Sequence, residues 1–273
     1  EQPNLEDPDF QEGGIESLAR LLDGRSEKLL GIKRPTYLSK PEVPLRIRQF
    51  LPYARLIATL RNPYTRLVSA YYHYVANGFW PPIPLQAGLE LLIEKNEGVI
   101  ARWPRSSEII ENGLYADHLD RYRAHGLADN LLVLKAESLS ANWSNEFKKI
   151  ALHLDIDANP LVKHPPAQRN ARSPSLRRSA IEGRLARFGY AYSADGMRLA
   201  LPATSVRNVH RRLALKFGMQ VVRRWPERGR GSARQELESL SNSLKDSLQQ
   251  IYAPQIARLT NLVDIDSSDW NIA

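Results

Sequence analysis

The order of apolar and polar positions predicts a strand that leads directly into an amphipathic helix near residue 60. Residues 56–60, LIATL, form an apolar, β-prone run, which is typical of a parallel strand buried on both faces. Asn62 and Pro63 then indicate a helix start, with Asn as the N-cap and Pro where no backbone N–H is needed. We expect the free N–H groups and the positive dipole end of this helix to favour an anion.

Arg61 adds a positive charge at this turn, and Ser69 follows it eight positions later. At 3.6 residues per turn, Ser69 shares one helix face with Asn62, Arg66 and His73. It lies roughly 10 Å from the helix start, so only a long Arg side chain could meet it on one bound group. Alone, Arg61 would be a surface cation and Ser69 a packing residue. The strand, the Asn-Pro start and the spacing together favour a phosphate site.

Shorter patterns predict the other elements. We expect a helix at 41–50 with Leu45, Ile47 and Phe50 facing inward, a short strand at 28–32, a rigid proline-containing loop at 77–84, helices at 85–95 and 113–126, and a second buried strand at 131–135. Strands that alternate with helices predict an α/β fold with a P-loop-like parallel sheet flanked by helices. The C-terminal part is expected to be a basic helical and loop region.

The chain is expected to form one domain, with an α/β core at 1–160, a basic covering segment of loops and short helices at 161–235, and C-terminal helices at 236–273. It carries 38 basic and 30 acidic residues, for a net charge of +8 and a pI near 9.7. Most of the excess follows residue 160. Such a surface attracts polyanions, including acidic glycans, nucleotides, anionic lipid and nucleic acid. No nucleic-acid-binding motif is present, so no nucleic acid partner is expected.

The composition also limits the chemistry and the location. There is no cysteine, so neither disulfides nor thiolate metal sites can form, and no His and carboxylate cluster suggests a metal. The sequence has no apolar run of about eighteen residues and an acidic, polar start. We therefore expect a soluble, cytoplasmic protein with no membrane segment.

The strand, Arg61 and Ser69 resemble the nucleotide 3′-phosphate loop of sulfotransferases that use 3′-phosphoadenosine 5′-phosphosulfate, especially the carbohydrate and heparan-sulfate-type enzymes and their bacterial relatives. The resemblance covers residues 1 to about 155 and about 225 to 270. The family's turn EK-x-P-x-Y is similar to IKRPTY at 32–37. It implies that Lys33 lies near the transferred sulfuryl group, although Ile32 replaces the glutamate.

Weaker similarities imply further site residues. The segment ERGRGSAR at 227–234 resembles the basic loop that closes over the nucleotide, which makes Arg230 and Arg234 candidate phosphate ligands. His73 occupies a position that often contacts the acceptor in relatives, and Trp80 offers an aromatic face to a sugar ring. Each residue also has a purely structural interpretation, which is a solvated loop for the arginines, an exposed helix residue for His73 and a stiffened loop for Trp80.

Two features depart from the family pattern. The loop P-[KR]-[ST]-G-T-[ST], which binds the 5′-phosphosulfate, is not found. The nearest string, PRSS at 104–107, lacks the glycine that a close backbone approach requires and follows no strand. We expect the chain to begin after that loop. Counting back from Gly14 places the family's catalytic glutamate at Glu1, while Pro3 replaces its companion histidine.

The resemblance implies transfer of a sulfuryl group from 3′-phosphoadenosine 5′-phosphosulfate to a hydroxyl or amine of a glycan or related small acceptor, possibly anionic, without a metal. Lys33 would stabilise the charge that develops on the moving group, and Glu1 would take the acceptor's proton. Two alternatives stay open. One is a non-catalytic polyanion-binding module on a degenerate fold, and the other is a nucleotide-dependent kinase, for which the chain shows no G-x-x-x-x-G-K-[ST] motif.

Overall fold

The structure is a computed structural model that describes Leu5, Gly14, Glu16 and residues 19–20, 29–95, 97–163, 175–192, 199–200, 206–224 and 232–272. Its elements in chain order are α1 (Glu42–Phe50), β1 (Leu56–Leu60), α2 (Pro63–Ala76), α3 (Leu85–Ile93), α4 (Glu97–Arg102), α5 (Glu108–Glu111), α6 (Tyr115–Ala124), a 3₁₀ turn (Ala128–Asn130), β2 (Leu131–Lys135), α7 (Ala136–Ala141), α8 (Trp143–Leu154), α9 (Asn159–Lys163), α10 (Leu176–Gly189), β3 (Ala191–Tyr192), β4 (Leu199–Ala200), α11 (Val206–Arg224), α12 (Ala233–Glu238) and α13 (Asn242–Leu259).

The chain divides into two compact units that are each assembled from separate stretches of sequence. Unit 1 comprises residues 1–61, 114–167 and 255–267, and unit 2 comprises residues 62–113, 168–254 and 268–273. The chain therefore passes from unit 1 to unit 2 between Arg61 and Asn62, and α13 begins in unit 2 and ends in unit 1. The expected single domain with internal divisions near 160 and 235 stays a prediction.

Unit 1 is built on a parallel strand pair. β1 and β2 pair from Leu56 with Leu131 to Leu60 with Lys135. Helices precede and follow the strands, so the expected parallel sheet of an α/β fold is confirmed. Because the strands are parallel, both carboxyl ends lie at the same edge of the pair.

The hydrophobic core of unit 1 lies between α1, α6 and the loops that flank them. Its buried members are Leu5, Val43, Ile47, Tyr122 and Leu127. The inward orientation predicted for Leu45 is wrong, since its side chain is 54% exposed. Val43 and Ile47 are four positions apart and share one helix face, which places Leu45, midway between them, on the other side.

The predicted strand at 28–32 is also wrong for the part that the structure describes. Residues 29–34 have no regular secondary structure, and the apolar side chains of Leu29, Leu30 and Ile32 are exposed. A strand needs a neighbour for its backbone groups, and β1 pairs only with β2 among the described strands. Apolar sequence alone was therefore a poor guide to pairing here.

Unit 2 is organised around α2, which packs against α5, α10 and α12. The predicted helix and its cap are confirmed, and Leu67, Tyr71 and Tyr74 are buried. The helix buries a further group of side chains, which are Pro63, Tyr64, Val68, Tyr72 and Val75. The predicted short helices of segment 161–235 are wrong in length, because α10 has 14 residues and α11 has 19.

Glycine permits the close packing of α10 against α2. A β-carbon on Gly183 would lie 2.2 Å from the carbonyl oxygen of Val75, far inside van der Waals contact. The obstacle is backbone and cannot rotate away. Gly183 therefore fixes how near the two helices approach.

We expect Gly183→Ala to destabilise the protein by about 1–3 kcal/mol, because the added methyl group forces the two helices apart. Urea unfolding followed by circular dichroism would measure the change in the free energy of unfolding. Gly31→Ala is the matched control, since no heavy atom lies within 4 Å of its added β-carbon. Equal stability of the two variants would contradict this account of the helix contact.

Candidate active site

Two cations stand at the carboxyl ends of the parallel strands in unit 1. Arg61 follows β1 directly and is half-buried. Lys135 is the last residue of β2, pairs with Leu60 in the sheet register and is only 9% exposed. Ligands of open parallel sheets bind outside the carboxyl ends of the strands. This edge of the sheet therefore concentrates positive charge where an anion is expected.

Lys135 was not identified as a site residue from the sequence. Its signal was present, because it is the only charged residue in the buried run LLVLK. Its position at the strand end, beside the segment that carries Arg61, makes it a further candidate anion ligand.

The helix start after Arg61 differs from the sequence expectation in one respect. The Oδ1 atom of Asn62 accepts hydrogen bonds from the backbone N–H groups of Tyr64, at 2.9 Å, and Thr65, at 3.3 Å. Pro63 has no N–H group to offer. The N–H donors expected for an anion are thus taken by the cap itself, and an anion near this turn must rely on side chains and the helix dipole.

Ser69 is half-buried on α2 in unit 2. Its hydroxyl donates to the carbonyl oxygen of Thr65 at 3.1 Å. A hydroxyl has one proton to donate, so Ser69 can donate to an anion only when its Oγ–H turns away from Thr65. Arg61 belongs to unit 1 and Ser69 to unit 2.

Arg66, the other cation on the polar face of α2, has a structural role. Its Nη2 donates to the carbonyl oxygens of Ile109, at 2.5 Å, and Ile110, at 3.4 Å. These carbonyls lie in α5, and the hydroxyl of Tyr252 donates to the Ile110 oxygen at 2.9 Å. The guanidinium therefore ties α2 to α5 through its Nη2 atom.

Lys33 is exposed and precedes a turn at residues 35–39. Helix α6 holds that turn from one side. The Tyr122 hydroxyl donates to the carbonyl oxygen of Tyr37 at 2.8 Å, and Arg121 donates to that of Ser39 at 2.9 Å. Two hydrogen bonds from neighbouring residues of one helix thus fix the segment that follows Lys33.

Helix α6 is itself anchored by the end of α13 within unit 1. Arg258 bonds to the carboxylates of Asp117, at 2.5 Å, and Asp120. Gln255 donates to Asp117 at 2.8 Å and accepts from its backbone N–H at 3.1 Å. The turn after Lys33 is therefore connected through α6 to residues more than 200 positions later in the chain.

The remaining predicted site residues have varied positions. His73 is exposed on α2. Trp80 is 1% exposed and packs edge-on against Tyr71, with ring centroids 6.4 Å apart. A sugar ring could reach its face only after the loop moved. Arg234 is exposed on α12, with its Nε 3.7 Å from the carboxylate of Glu238. Glu1 and Arg230 lie outside the residues that the structure describes.

The string PRSS at 104–107 precedes α5 and forms part of a buried ion-pair cluster in unit 2. Arg105 donates to one oxygen of Glu108 through Nε, at 3.1 Å, and Nη2, at 2.8 Å. The Tyr74 hydroxyl donates to the same oxygen at 2.5 Å, and the guanidinium lies 4.4 Å from the ring centroid of Phe79. Burial, together with the Glu108 charge, raises the pKa of Tyr74. Arg105 therefore serves the packing of α2 against α5.

Across the described ranges, no group of three or more His, Asp or Glu side chains could hold a metal ion. No helix in the described part of the chain has the length and apolar character needed to cross a bilayer.

Comparison with protein families gives a match to the sulfotransferase domain over residues 37–180, just over half of the chain. The matched range contains β1, Arg61, α2 with Ser69 and His73, Trp80 and β2. Lys33 precedes it, and Arg234 follows it.

Two proteins that are similar to this chain are heparan sulfate enzymes. Heparan sulfate glucosamine 3-O-sulfotransferase 6 of Mus musculus is 26% identical over 168 residues, which cover 61% of this chain and 46% of the relative. Bifunctional heparan sulfate N-deacetylase/N-sulfotransferase 1 of Caenorhabditis elegans is 22% identical over 140 residues, covering 50% of this chain and 16% of the relative. The chain thus spans less than half the length of either relative.

A solved structure supports the fold. The sulfotransferase from Alicyclobacillus acidocaldarius superposes with a TM-score of 0.55 at 18% identity, covering 93% of this chain and 73% of that chain. At this identity the similarity establishes the fold alone, and it agrees with the α/β, P-loop-like architecture expected from the sequence.

The hydrogen bond from Tyr122 to the turn after Lys33 has a measurable consequence. We expect Tyr122→Phe to lower the free energy of unfolding by about 1 kcal/mol at pH 8, because the buried carbonyl of Tyr37 loses its donor. Burial also raises the pKa of Tyr122 above the ordinary value of 10.0. A raised pKa stabilises the folded state below pH 10, and this contribution is lost as the pH rises toward the folded-state pKa.

Urea unfolding between pH 8 and pH 11 would measure both effects, and the alkaline decline should be shallower in Tyr122→Phe. The decline should not vanish, since burial also raises the pKa of Tyr64, Tyr71 and Tyr74. Tyr53→Phe, at an almost fully exposed side chain, is the control. An alkaline decline of the same slope in Tyr122→Phe and in the wild type would refute the assignment.

Proposed function

Because the family match covers more than half of it, this chain belongs to the sulfotransferase family, and we propose that it transfers a sulfuryl group from 3′-phosphoadenosine 5′-phosphosulfate to a hydroxyl or amine. We further propose that the acceptor is a glycan or a related small molecule. The observation that carries the proposal is that the family match contains the strand that ends just before Arg61 and the helix that follows it.

The residues at the carboxyl edge of the sheet suit an anionic nucleotide. Arg61 supplies a guanidinium, whose planar fork can bind two phosphate oxygens at once. The Lys135 side chain is buried at the end of the neighbouring strand, so its charge would be screened little by solvent. We propose that Arg61 and Ser69 each contact the nucleotide's 3′-phosphate, as the resemblance implies, with Arg234 and Arg230 as additional ligands.

The chemistry requires a nucleophile and a stabilised leaving group. The acceptor oxygen or nitrogen forms a bond to sulfur while the bond between sulfur and the bridging phosphate oxygen breaks, which releases adenosine 3′,5′-bisphosphate. Negative charge grows on the bridging and sulfuryl oxygens, so a fixed cation there lowers the barrier. We propose Lys33 for this role, since it is exposed beside a turn that α6 holds in place. Glu1 is the proposed acceptor of the proton.

The names of the relatives and the charge of the chain both support a glycan acceptor, and the positive charge favours an anionic one. Heparan sulfate occurs in the names of both enzymes compared above, and the chain carries a net charge of +8. His73, exposed on α2, is a proposed acceptor contact. Trp80 keeps that role only if its loop can open, because its ring is buried.

Adenosine 3′,5′-bisphosphate should bind the chain and raise its melting temperature, and Arg61→Ala should weaken this binding by at least about tenfold. The loss of one charge-assisted phosphate contact typically costs about 1.5–3 kcal/mol. Isothermal titration calorimetry would give the dissociation constants. The control is Arg55→Ala, which removes an exposed arginine just before the opposite end of the same strand.

The same titration separates the alternatives. A kinase would prefer ATP with magnesium, and a polyanion-binding module would respond to neither nucleotide. Unchanged affinity in Arg61→Ala, with a strong bisphosphate signal in the wild type, would remove Arg61 from the site without removing the activity.

Lys33→Ala should reduce the rate of sulfuryl transfer by about 100-fold or more while the affinity for adenosine 3′,5′-bisphosphate stays within about twofold, because the lysine acts on the moving group. Transfer of radiolabelled sulfate to a heparan-type oligosaccharide, beside a binding titration, would measure the two quantities. Lys40→Ala, at the far end of the same turn, serves as the control. A parallel loss of binding and turnover would assign Lys33 to nucleotide binding instead.

A further inference from the structure

Helix α11 exposes a continuous apolar stripe. Leu213 is 60% exposed, Phe217 70% and Val221 48%. These residues are spaced by four positions, so they lie along one face of the helix over two turns. Single exposed apolar residues are common on protein surfaces, but three in one row on one helix form a patch.

The opposite face of α11 is already used for packing within unit 2. Leu215 and Val222 are buried. Leu215 lies where a β-carbon on Gly189 of α10 would meet it, and Leu185 of α10 lies 3.2 Å from the β-carbon position of Gly218. The stripe is therefore a second apolar face and not the side that attaches the helix to its unit.

The charge of α11 has one sign. Its sequence, VRNVHRRLALKFGMQVVRR, contains six Lys and Arg residues and no Asp or Glu. Lys216 and Arg224 are exposed, and each lies three positions after a residue of the stripe, which places it on the adjoining surface. The exposed face thus combines large apolar side chains with flanking cations.

We propose that α11 is a membrane-surface helix, which lies in the plane of an anionic lipid bilayer with Leu213, Phe217 and Val221 inserted among the acyl chains. Lys216 and Arg224 then contact the lipid phosphates and carboxylates. A helix with cations beside large apolar side chains is the arrangement by which peripheral proteins bind such interfaces. The helix lies on the membrane and does not cross it, in agreement with its composition.

The apolar stripe distinguishes lipid from other polyanions. A soluble acidic glycan or a nucleic acid would engage the cations but would leave Phe217 and Leu213 in water. A second copy of this chain would cover the stripe but would bring Lys216 and Arg224 of one helix beside those of another, and like charges repel. An anionic bilayer satisfies the apolar and the charged parts of this face together.

Vesicle sedimentation tests the proposal with the full chain. Vesicles of equal parts phosphatidylcholine and phosphatidylserine should bind the wild type, whereas vesicles of phosphatidylcholine alone should bind it much more weakly. The triple variant Leu213→Ser, Phe217→Ser, Val221→Ser should bind the anionic vesicles roughly tenfold or more weakly, because the inserted apolar area is gone. The control is Leu152→Ser, which removes an 84% exposed leucine from α8.

A second variant, Lys216→Gln with Arg224→Gln, should weaken binding to anionic vesicles and reduce its dependence on salt. It also keeps the test decisive should the triple variant fold poorly. Absence of wild-type binding, or equal binding by the wild type and the triple variant, overturns the proposal. Heparin binding that Lys216→Gln with Arg224→Gln weakens, without vesicle binding, would assign the face to a soluble polyanion. A dimer in analytical ultracentrifugation that the triple variant dissociates, without vesicle binding, would assign it to a second copy.

Discussion

The parallel pairing of β1 with β2 is the constraint on which the candidate site depends. Parallel pairing brings two strand ends that are far apart in sequence to one edge, and the register sets Lys135 opposite Leu60, immediately before Arg61. An antiparallel pair would place these two cations at opposite ends. The charge at this edge therefore follows from topology, and the local sequence near Arg61 could not reveal the contribution of β2. The chain passes from unit 1 to unit 2 directly after Arg61, and α2 begins there.

Much of this arrangement was predictable because its signals are local. The apolar run before Arg61, the Asn-Pro helix start and the apolar run ending at Lys135 each predict their element without tertiary information, and the structure confirms all three. The errors concern features that depend on partners. Leu45 faces outward because the core contacts Val43 and Ile47 instead, and residues 29–32 form no strand because no strand pairs with them in the described part of the chain. Helix spacing separates Leu45 from Val43 and Ile47 but does not show which face is buried, and no spacing shows whether a strand finds a neighbour.

Polar residues near α2 illustrate a second limit of sequence reasoning. Asn62, Arg66 and Arg105 all belong to residue types that bind phosphate, and all three have polar contacts within unit 2. Asn62 caps the helix, Arg66 binds carbonyls of α5, and Arg105 pairs with Glu108. Buried or half-buried donors need hydrogen-bond partners inside the protein. Polar groups that the sequence alone would assign to ligand binding therefore form hydrogen bonds within the protein instead. Arg61 and Lys135 at the strand ends and Lys33 before its turn stay proposed ligands, and the roles of Glu1 and Arg230 stay predictions.

Each unit consists of stretches of sequence that alternate with those of the other unit. This arrangement limits how the protein can be divided into fragments. Arg258 and Gln255, near the C-terminus, hold α6 within unit 1, although the rest of α13 belongs to unit 2. No single cut therefore separates the two halves as independent fragments. A truncation that removes Gln255 and all later residues would free the Asp117 carboxylate. It would also loosen helix α6, which holds the turn after Lys33. Truncation of this region would therefore disturb the turn after Lys33, although the removed residues lie far from that turn in the sequence.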